Sequence, residues 1–272
     1  MKTRIISGAV LGVATVLFLM LNVNYPITAV IVLAVLAGIA AYEMLFGTKT
    51  VENKVAVLSA VIYSAAMQFA YEGFFSAQLV TYLYVLIIAL VALAKHKSFG
   101  VKQITMSISM PIVLSFAFHC LVTLLNASDG FGILYFILLF NFSSVSDIFA
   151  YFVGSAIGKH KMAPVISPKK SYEGLIGGIL GSFIGIVIIY FVFGAIFENN
   201  TLNIWMLLAA TPVFCLIGVM GDLFTSAIKR ECGIKDYGKL IPGHGGVLDR
   251  LDSILLVAPA LVTFLSFVEV VA

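Results

Sequence analysis

Nine long apolar stretches, separated by short polar connections, constrain the fold of this chain more than any other feature of its sequence. A helix that crosses a bilayer needs about 20 mostly apolar residues. The stretches that meet or approach this length lie at roughly 5–22, 27–47, 54–71, 76–95, 104–125, 131–156, 174–197, 203–228 and 250–271. The sequence therefore predicts an all-α polytopic membrane protein with about nine transmembrane helices.

The composition supports this fold class. Charged residues make up 11% of the chain and hydrophobic residues 61%, whereas soluble domains carry about 25% charged residues. The three cysteines form no C-x-x-C pair, which argues against a disulfide framework or a zinc site. No small-residue cleavage pattern follows Leu21, so the first apolar stretch is expected to be an uncleaved span rather than a signal peptide.

The positive residues predict the orientation of the spans. All 16 Lys and Arg fall in connections on one side of the predicted membrane. The charged residues of the alternate connections are all acidic; they are Glu72, Asp129 and Glu198. Positive residues mark the cytoplasmic face. We therefore expect a cytoplasmic amino terminus, an outside carboxyl terminus, and cytoplasmic positions for the two long loops at 157–173 and 229–249.

The chain divides into two predicted regions. Residues 1–125 form N-terminal transmembrane helices that serve either as a scaffold or as a dimer interface, and the sequence leaves these two roles open. Residues 126–272 form a transmembrane core that contains both long cytoplasmic loops and most of the polar residues inside spans. Charge is expensive near a bilayer and marks functional sites, so the chemistry is expected in this second region.

The first long loop contains a candidate phosphate-binding segment. Lys169 and Lys170 precede Ser171, a plausible N-cap for the seventh span. Two ammonium groups beside the free backbone N–H groups of a helix start suit a phosphate. Lys159 and Lys161 are interpreted instead as anchors beside lipid headgroups.

The second long loop joins a glycine-rich turn to two carboxylates. The turn at 242–246 has little side-chain bulk, so its backbone can approach a ligand closely. Asp249 and Asp252 are three residues apart and share a helix face. They resemble oxygen ligands for a hard cation such as Mg²⁺. The alternative is that both acids only favour the positive end of a helix.

Two further acids lie inside predicted spans, Asp222 in the eighth and Asp147 in the sixth. Intramembrane carboxylates are functional candidates. Asp222 converges with Asp249 if the last two spans form an antiparallel hairpin, which predicts a shared metal site. Asp147 is either a supporting ligand or a polar residue satisfied within the helix bundle. Glu43, late in the second span, is interpreted as an interfacial residue.

Two histidines and a set of glycines have different interpretations. His119 lies in an apolar run and is expected to be a satisfied core residue. His244, between glycines, is a candidate for phosphate contact or for acid–base chemistry, and both roles stay open. The glycines of the seventh span permit close helix packing; they are Gly174, Gly177, Gly178, Gly181 and Gly185.

These motifs together resemble a known family, the CDP-diglyceride synthetases, also called phosphatidate cytidylyltransferases. The longest matching segment runs from Ser226 to Asp252 and contains Lys229, Arg230, Lys235, Asp236, Gly238, Ile241, Pro242, His244, Gly245, Gly246, Val247, Asp249, Arg250 and Leu251. Two upstream segments also match, at residues 147–159 and 167–178. The resemblance covers about the last 130 residues.

The resemblance implies transfer of CMP from CTP to phosphatidic acid, giving CDP-diacylglycerol and pyrophosphate for phospholipid biosynthesis. It also implies dependence on Mg²⁺ or another divalent cation, with a second metal ion as an option, and assembly as a homodimer. The implied location is the cytoplasmic (inner) membrane of a bacterium, with the active site facing the cytoplasm. No nucleic-acid partner is expected.

The residues are then expected to divide by role. Asp222 and Asp249 hold the metal, supported by Asp147 and Asp252. Phosphates are neutralised by five cations, Lys169, Lys170, Lys229, Arg230 and Arg250. Gly245 and Gly246 approach the triphosphate by their backbone. The remaining candidates are His244 in the catalytic group and Ser167, Lys235 and Asp236 in the substrate-binding group.

Two other functions are compatible with parts of this pattern. A CTP-dependent lipid kinase of the polyprenol type would pass the γ-phosphoryl group to a lipid alcohol. A transporter would use buried acids and polar spans. The concentration of charge in loops, rather than across the middle of the membrane, disfavours a transporter.

Overall fold

The structure is a computed structural model that describes residues 2–198 and 200–271, with side chains described from residue 6 onward. Within these residues the chain is helical apart from its connections and one short hairpin. The helices are α1 (Lys2–Asn24), α2 (Ile27–Tyr42), α3 (Lys54–Tyr71), α4 (Ala77–Ala94), α5 (Val101–Leu125), α6 (Gly132–Phe140), α7 (Ser146–Ile157), α8 (Tyr172–Ile196), α9 (Ile204–Glu231), α10 (Leu248–Leu251) and α11 (Ile254–Phe267).

Eight helical segments in the described part of the chain are long and apolar enough to cross a membrane. They correspond to the first eight predicted spans, which confirms the all-α polytopic fold class; the chain is an integral membrane protein. The ninth predicted span, 250–271, is shorter than expected. Its helix α11 has 14 residues, a rise of about 21 Å, because a turn precedes Ile254 and the chain becomes extended after Phe267. The orientation of the termini stays a prediction.

Two π-helical turns interrupt the regular helices. One covers Glu43–Gly47 and continues α2, and the other covers Asn141–Val145 and joins α6 to α7. A π-helical turn inserts an extra residue into the helical repeat, which changes the face on which the following side chains lie, and such turns are frequent at functional sites. In this chain the first turn begins with an intramembrane carboxylate, Glu43, and the second ends two residues before another, Asp147.

By its internal contacts the chain forms two units. The first contains residues 1–130 and 229–251, and the second contains residues 131–228 and 252–272. Residues 229–251, which hold most of the second long loop, therefore group with the N-terminal helices. The sequence-based division at residue 125 stays a prediction.

The core of the first unit is formed by α2, α3, α4 and α5. Stacked rings of Tyr63 and Tyr84 lie in this core, with ring centroids 4.3 Å apart. Polar contacts also join the N-terminal helices: the Asn22 side-chain amide donates to Asn126 Oδ1 at 3.1 Å and its oxygen accepts from the Ala29 backbone at 2.9 Å. The buried polar group of α1 is therefore satisfied.

In the second unit, α7 packs directly on the glycine face of α8. A Cβ at Gly177 would lie 2.5 Å from the Val153 Cβ, and one at Gly178 would lie 2.8 Å from the Ser146 carbonyl oxygen. Side chains at these positions would separate the two helices. The prediction that the glycines of this span serve helix packing is confirmed.

The loop that precedes α8 contains a hairpin that the sequence did not predict. Strands β1 (Lys161–Ala163) and β2 (Ser167–Ser171) form an antiparallel hairpin, with Lys161 opposite Ser171. The predicted N-cap is confirmed, because the Ser171 hydroxyl accepts a hydrogen bond from the Gly174 backbone N–H at 3.1 Å.

Helix α11 runs antiparallel to the part of α9 that belongs to the second unit. Near one end the rings of Phe214 and Phe264 lie with centroids 5.5 Å apart, and the Asn203 N–H donates to the Val270 carbonyl at 2.8 Å. Near the other end a Cβ at Gly221 would lie 2.8 Å from the Asp252 carbonyl oxygen. This close approach places the Asp252 backbone beside Gly221, the residue that precedes Asp222.

Candidate active site

In the second unit, one lysine lies between two intramembrane carboxylates. The Lys170 Nζ lies 2.7 Å from Asp222 Oδ2 and 3.9 Å from Asp147 Oδ1. These three residues come from β2, α9 and the first turn of α7. The hairpin, which places Lys170 at the start of α8, thus delivers an ammonium group to two acids that would otherwise repel each other.

The Lys170 ammonium is buried but incompletely bonded. Its nitrogen is inaccessible to solvent. The short ion pair with Asp222 engages one of its N–H groups, whereas Asp147 lies too far away, at 3.9 Å, for a hydrogen bond. An ammonium group has three N–H donors. A buried donor without an acceptor costs free energy, so this group is suited to donate hydrogen bonds to the oxygens of an anionic ligand.

Further polar groups surround Asp222 and Asp147. The Ser226 hydroxyl donates to Asp222 Oδ1 at 3.2 Å, and the Asp252 side chain is within hydrogen-bonding reach of Asp222. The Ser253 side chain forms a hydrogen bond with the Asp147 carboxylate. The second unit therefore contains three of the four predicted metal ligands, Asp147, Asp222 and Asp252. Lys170 contacts the first two of them.

Lys169 and Ser167 lie apart from this cluster. Successive residues of a strand point to opposite faces, and Lys169 is exposed whereas its neighbour Lys170 contacts the acids. Ser167 is half-buried at the start of β2. The structure thus separates two lysines that the sequence treated as a pair.

In the first unit, Asp249 accepts hydrogen bonds from three donors. Lys229 Nζ lies 2.9 Å from its Oδ1, and the Tyr237 and Gly246 backbone N–H groups lie 2.8 and 3.0 Å from its Oδ2. Asp249 is 6% exposed and Lys229 is 8% exposed. Removal of one partner from such a buried pair leaves an uncompensated charge. Asp249 therefore ties the loop of residues 237–246 to the end of α9.

A second carboxylate, Glu43, holds the same loop from the other side. It is 4% exposed, and its Oε1 and Oε2 accept the backbone N–H groups of Val247 and Leu248 at 3.1 and 3.0 Å. The interpretation of Glu43 as an interfacial residue stays a prediction, and the structure adds that its carboxylate is buried within the protein. Its acceptors satisfy the free N–H groups at the start of α10, directly before Asp249.

The glycines of this loop permit the close approach of these carboxylates. A side chain at Gly238 or Gly246 would collide with the Glu43 carboxylate. Gly245 has φ +90°, which other residues rarely adopt, and a Cβ there would lie 2.8 Å from Asp249 Oδ2. In the structure the backbone of these glycines therefore packs against the carboxylates of Glu43 and Asp249.

His244 is held by the first helix. Its Nδ1 lies 2.8 Å from the Ser7 hydroxyl, and the ring faces Gly8. The roles of phosphate contact and acid–base chemistry both stay predictions. The remaining candidates of this unit have exposed side chains; they are Arg230, Lys235, Asp236 and Arg250.

The acids of the second unit fit a magnesium ion by their donor chemistry. Among the described residues no three His, Cys, Asp or Glu side chains are grouped closely enough to hold a metal by themselves. Mg²⁺ usually takes only one or two protein carboxylates and completes its shell with water and substrate phosphates. Asp222 and Asp147 supply this type of donor around a position where a cationic group already lies.

Sequence reasoning missed the role of Glu43 and the distinction between Lys169 and Lys170. The signal for Glu43 was present, since an acid within an apolar span is a functional candidate. Its partners lie about 200 residues away, at Val247 and Leu248. No local pattern connects positions so distant in the chain.

Comparison with known proteins supports the resemblance found in the sequence. The chain is 40% identical over 154 residues to the phosphatidate cytidylyltransferase of Staphylococcus haemolyticus (strain JCSC1435) and over 155 residues to that of Staphylococcus aureus (strain COL). The matched stretch covers 53% of this chain and 57% of each relative, so the chain spans little more than half the length of the curated relatives it matches. The sequence model of the cytidylyltransferase family matches residues 2–268 of this chain. With a match over nearly its whole length, the chain belongs to the cytidylyltransferase family.

Proposed function

We propose that this chain transfers CMP from CTP to phosphatidic acid and releases pyrophosphate. The product is CDP-diacylglycerol, a precursor for phospholipid biosynthesis. The family match and the names of the relatives support this reaction class. The observation that carries the proposal from the structure is the buried Lys170 ammonium, which is held at Asp222 with N–H donors left for phosphate oxygens.

The reaction forms one phosphorus–oxygen bond and breaks another. An oxygen of the lipid phosphate bonds to the α-phosphorus of CTP, and the bond from that phosphorus to the oxygen bridging to the β-phosphate breaks. Pyrophosphate leaves with this electron pair. A phosphate monoester is already largely ionised near neutral pH, so no protein base is required for the attack. The main obstacle is repulsion between anions, which positioned cations reduce.

The residues of the second unit match this demand. Lys170 places a positive charge on phosphate oxygens, and Asp147 and Asp222 fix the position of that charge. A preorganised charge of this kind costs no reorganisation when charge develops in the transition state.

The residues of the first unit match a supporting role. The pair of Lys229 and Asp249 is buried, and the backbone N–H groups of Tyr237 and Gly246 fix its carboxylate. Such an arrangement holds the loop of residues 237–246 in one conformation, as a binding loop for a nucleotide requires. Exposed Arg230, Lys235 and Arg250 add positive charge around it.

We include a divalent cation, Mg²⁺ by preference, in the proposal. Asp222 and Asp147 would hold it, with Asp252 beside them, and the role of Asp249 as a ligand stays a prediction from the sequence. When bound, it would neutralise phosphate charge and polarise the phosphoryl oxygens. Removal of divalent ions with EDTA should abolish CMP transfer, and added Mg²⁺ should restore it.

The location and assembly belong to the same proposal. The protein would lie in the cytoplasmic membrane of a bacterium, with the site on the cytoplasmic side, where the predicted positive residues lie. A homodimer is carried over from the family resemblance. Cysteine accessibility in sealed vesicles tests the orientation, and cross-linking in native membranes tests the dimer.

A labelled nucleotide tests the reaction directly. Purified protein is incubated with phosphatidic acid and CTP labelled at either the α- or the γ-phosphorus. The proposal expects label in the lipid from α-labelled CTP only, and label from γ-labelled CTP would instead indicate a lipid kinase. Flux across liposomes without nucleotide consumption would indicate a transporter.

Two variants test the carboxylates. Asp222→Ala and Asp249→Ala should each abolish CMP transfer while the protein remains folded in detergent, because each removes the partner of a lysine. An exposed acid on a predicted outer connection, Glu72→Ala, serves as the control. Normal turnover in both aspartate variants would contradict the assignment of the site.

A further inference from the structure

A large apolar groove lies within the first unit, between α2 and α3. Its volume is about 980 Å³, at the upper end of the range for ligand pockets. Ala34 and Val35 line one end, and the loop of residues 237–240 lines the other. Most of the wall is aliphatic, so the groove suits a hydrocarbon chain rather than a nucleotide.

The groove is open to the side on which a membrane protein meets lipid. Val35 on α2 and Leu58 on α3 line it and are 57% and 59% exposed. Both helices are among those apolar enough to span the bilayer. A lipid chain can therefore reach the groove from the surrounding bilayer without crossing a polar barrier.

The length of the groove matches one acyl chain in one leaflet. Along α2 the lining runs from Ala34 to Gly47, a rise of about 20 Å for 13 residues. One leaflet contributes half of the hydrocarbon core, or about 15 Å. The groove thus extends through one leaflet and a few ångströms beyond it, into the headgroup region.

The headgroup end of the groove is positively charged. Lys54, the first residue of α3, and Lys239, in the loop, both line this end and are exposed. Within the part of the chain that the structure describes, neither ammonium takes part in an ion pair. Two uncompensated ammonium groups at headgroup level favour an anionic lipid over a zwitterionic one.

The same end adjoins the loop that carries Asp249. Glu43 lines the groove and also accepts the N–H groups of Val247 and Leu248. The Tyr237 carbonyl oxygen packs against Gly47, where a side chain would collide with it. A headgroup at this end therefore lies beside the segment that the buried pair of Lys229 and Asp249 holds in place.

We propose that this groove holds an acyl chain of the phosphatidic acid substrate, with the lipid phosphate at Lys54 and Lys239. The assignment rests on the proposed function for the identity of the lipid as substrate. The groove supplies the apolar binding energy, and the two lysines select the anionic headgroup. N-terminal helices α2 and α3 thereby take a direct part in substrate binding.

A photoreactive lipid tests the groove independently of turnover. Phosphatidic acid with a diazirine in the middle of its acyl chain is incorporated into phosphatidylcholine vesicles that contain the full-length protein. After irradiation, adducts are mapped by mass spectrometry. We expect them to concentrate on residues 34–65 and to be displaced by unlabelled phosphatidic acid more effectively than by added phosphatidylglycerol.

Two variants and two matched controls sharpen the test. Leu58→Trp fills the groove, and its control is Ile62→Trp, since Ile62 is equally exposed at 59% on the same helix but does not line the groove. Lys54→Gln combined with Lys239→Gln removes the charge at the headgroup end. Its control is Lys95→Gln combined with Lys97→Gln, at exposed positions after α4.

We expect adduct yield to fall about tenfold in both groove variants and to stay unchanged in both controls, since two partly exposed charge contacts or one blocked channel have effects of this order. The KM for phosphatidic acid should rise by a similar factor in both variants, and in Leu58→Trp, which lies outside the loop of residues 237–246, the KM for CTP should stay unchanged. Adducts spread evenly over lipid-facing helices, or displaced equally by both lipids, would overturn the proposal.

The outcome also separates this proposal from the proposed function. If the wild-type protein transfers CMP from CTP but the adducts do not concentrate on residues 34–65, only the groove assignment is wrong. If the adducts concentrate there but no CMP reaches the lipid, the proposed function fails, and with it the assignment of the bound lipid as substrate.

Discussion

Glu43 offers the sharpest test of how the first unit is held together. Its two carboxylate oxygens accept the Val247 and Leu248 backbone N–H groups, at 3.1 and 3.0 Å, and the side chain is buried. In Glu43→Gln the shape is kept but one oxygen becomes an NH₂ donor. One of the two N–H groups then faces a donor instead of an acceptor.

The size of the effect follows from that single lost acceptor. A buried donor left without a partner costs about 1–3 kcal/mol. If the start of α10 opens locally, this cost appears in the opening equilibrium of residues 246–249 rather than in global unfolding. At about 1.36 kcal/mol for each factor of ten, opening becomes roughly 5- to 150-fold more frequent.

Hydrogen–deuterium exchange measures this opening directly. Exchange in peptides that cover residues 246–249 should become faster in Glu43→Gln by a factor in this range, while the peptides of α7 and α8 stay unchanged. CMP transfer should also fall, because Asp249 is held by the same segment. Glu52→Gln, at an exposed position before α3, is the matched control. Unchanged exchange together with unchanged turnover in Glu43→Gln would refute the positioning role.

Three further variants probe the second unit. Lys170→Met should lower CMP transfer at least about 100-fold, because a charge-assisted contact to a phosphate is lost and two carboxylates are left uncompensated. Lys169→Met, at an exposed position, should lower it far less. Equal losses of CMP transfer in the two variants would contradict the separation of their roles. Gly178→Val should reduce thermal stability in detergent by about 2 kcal/mol or more, since its Cβ meets a backbone oxygen at 2.8 Å, and Gly194→Val, with nothing within 4 Å, should leave the melting temperature unchanged. Ser171→Ala should cost about 1 kcal/mol through loss of the N-cap of α8, and an unaltered melting curve would argue against that cap.

The membrane fold could be predicted because it depends on local composition. Whether a segment can span the bilayer is decided by about 20 consecutive residues, and the first eight predicted spans correspond to eight helices of the structure. The ninth span was predicted too long, since hydropathy does not detect the turn before Ile254 or the extended chain after Phe267. Local chemistry also predicted the N-cap at Ser171 and the packing role of the glycines of α8.

The candidate site could be predicted only in part. Intramembrane position selected Asp147 and Asp222, and the motif selected Lys170, Lys229 and Asp249. Their pairing was not predictable. Which lysine meets which carboxylate depends on a hairpin that brings β2 to α7 and α9, and on a loop that folds back onto the end of α9.

The π-helical turns show why sequence periodicity fails at these positions. A helix of constant 3.6-residue repeat assigns each side chain to a face, and an inserted residue changes that assignment for all that follow. The turns at Glu43–Gly47 and Asn141–Val145 lie at or next to two of the acids that contact other protein groups, Glu43 and Asp147. Glu43 was assigned to the membrane interface from its position late in the second span, and only the structure shows that its carboxylate is buried.

The sequence by itself determined that this chain is a polytopic helical membrane protein of the cytidylyltransferase family, because span length, hydropathy and a long motif are local properties. Only the tertiary structure decided that Lys170 rather than Lys169 meets the intramembrane acids, and that Glu43 and Asp249 together hold the glycine loop. These contacts join residues up to about 200 positions apart. They form because a buried carboxylate must find donors wherever the fold places them.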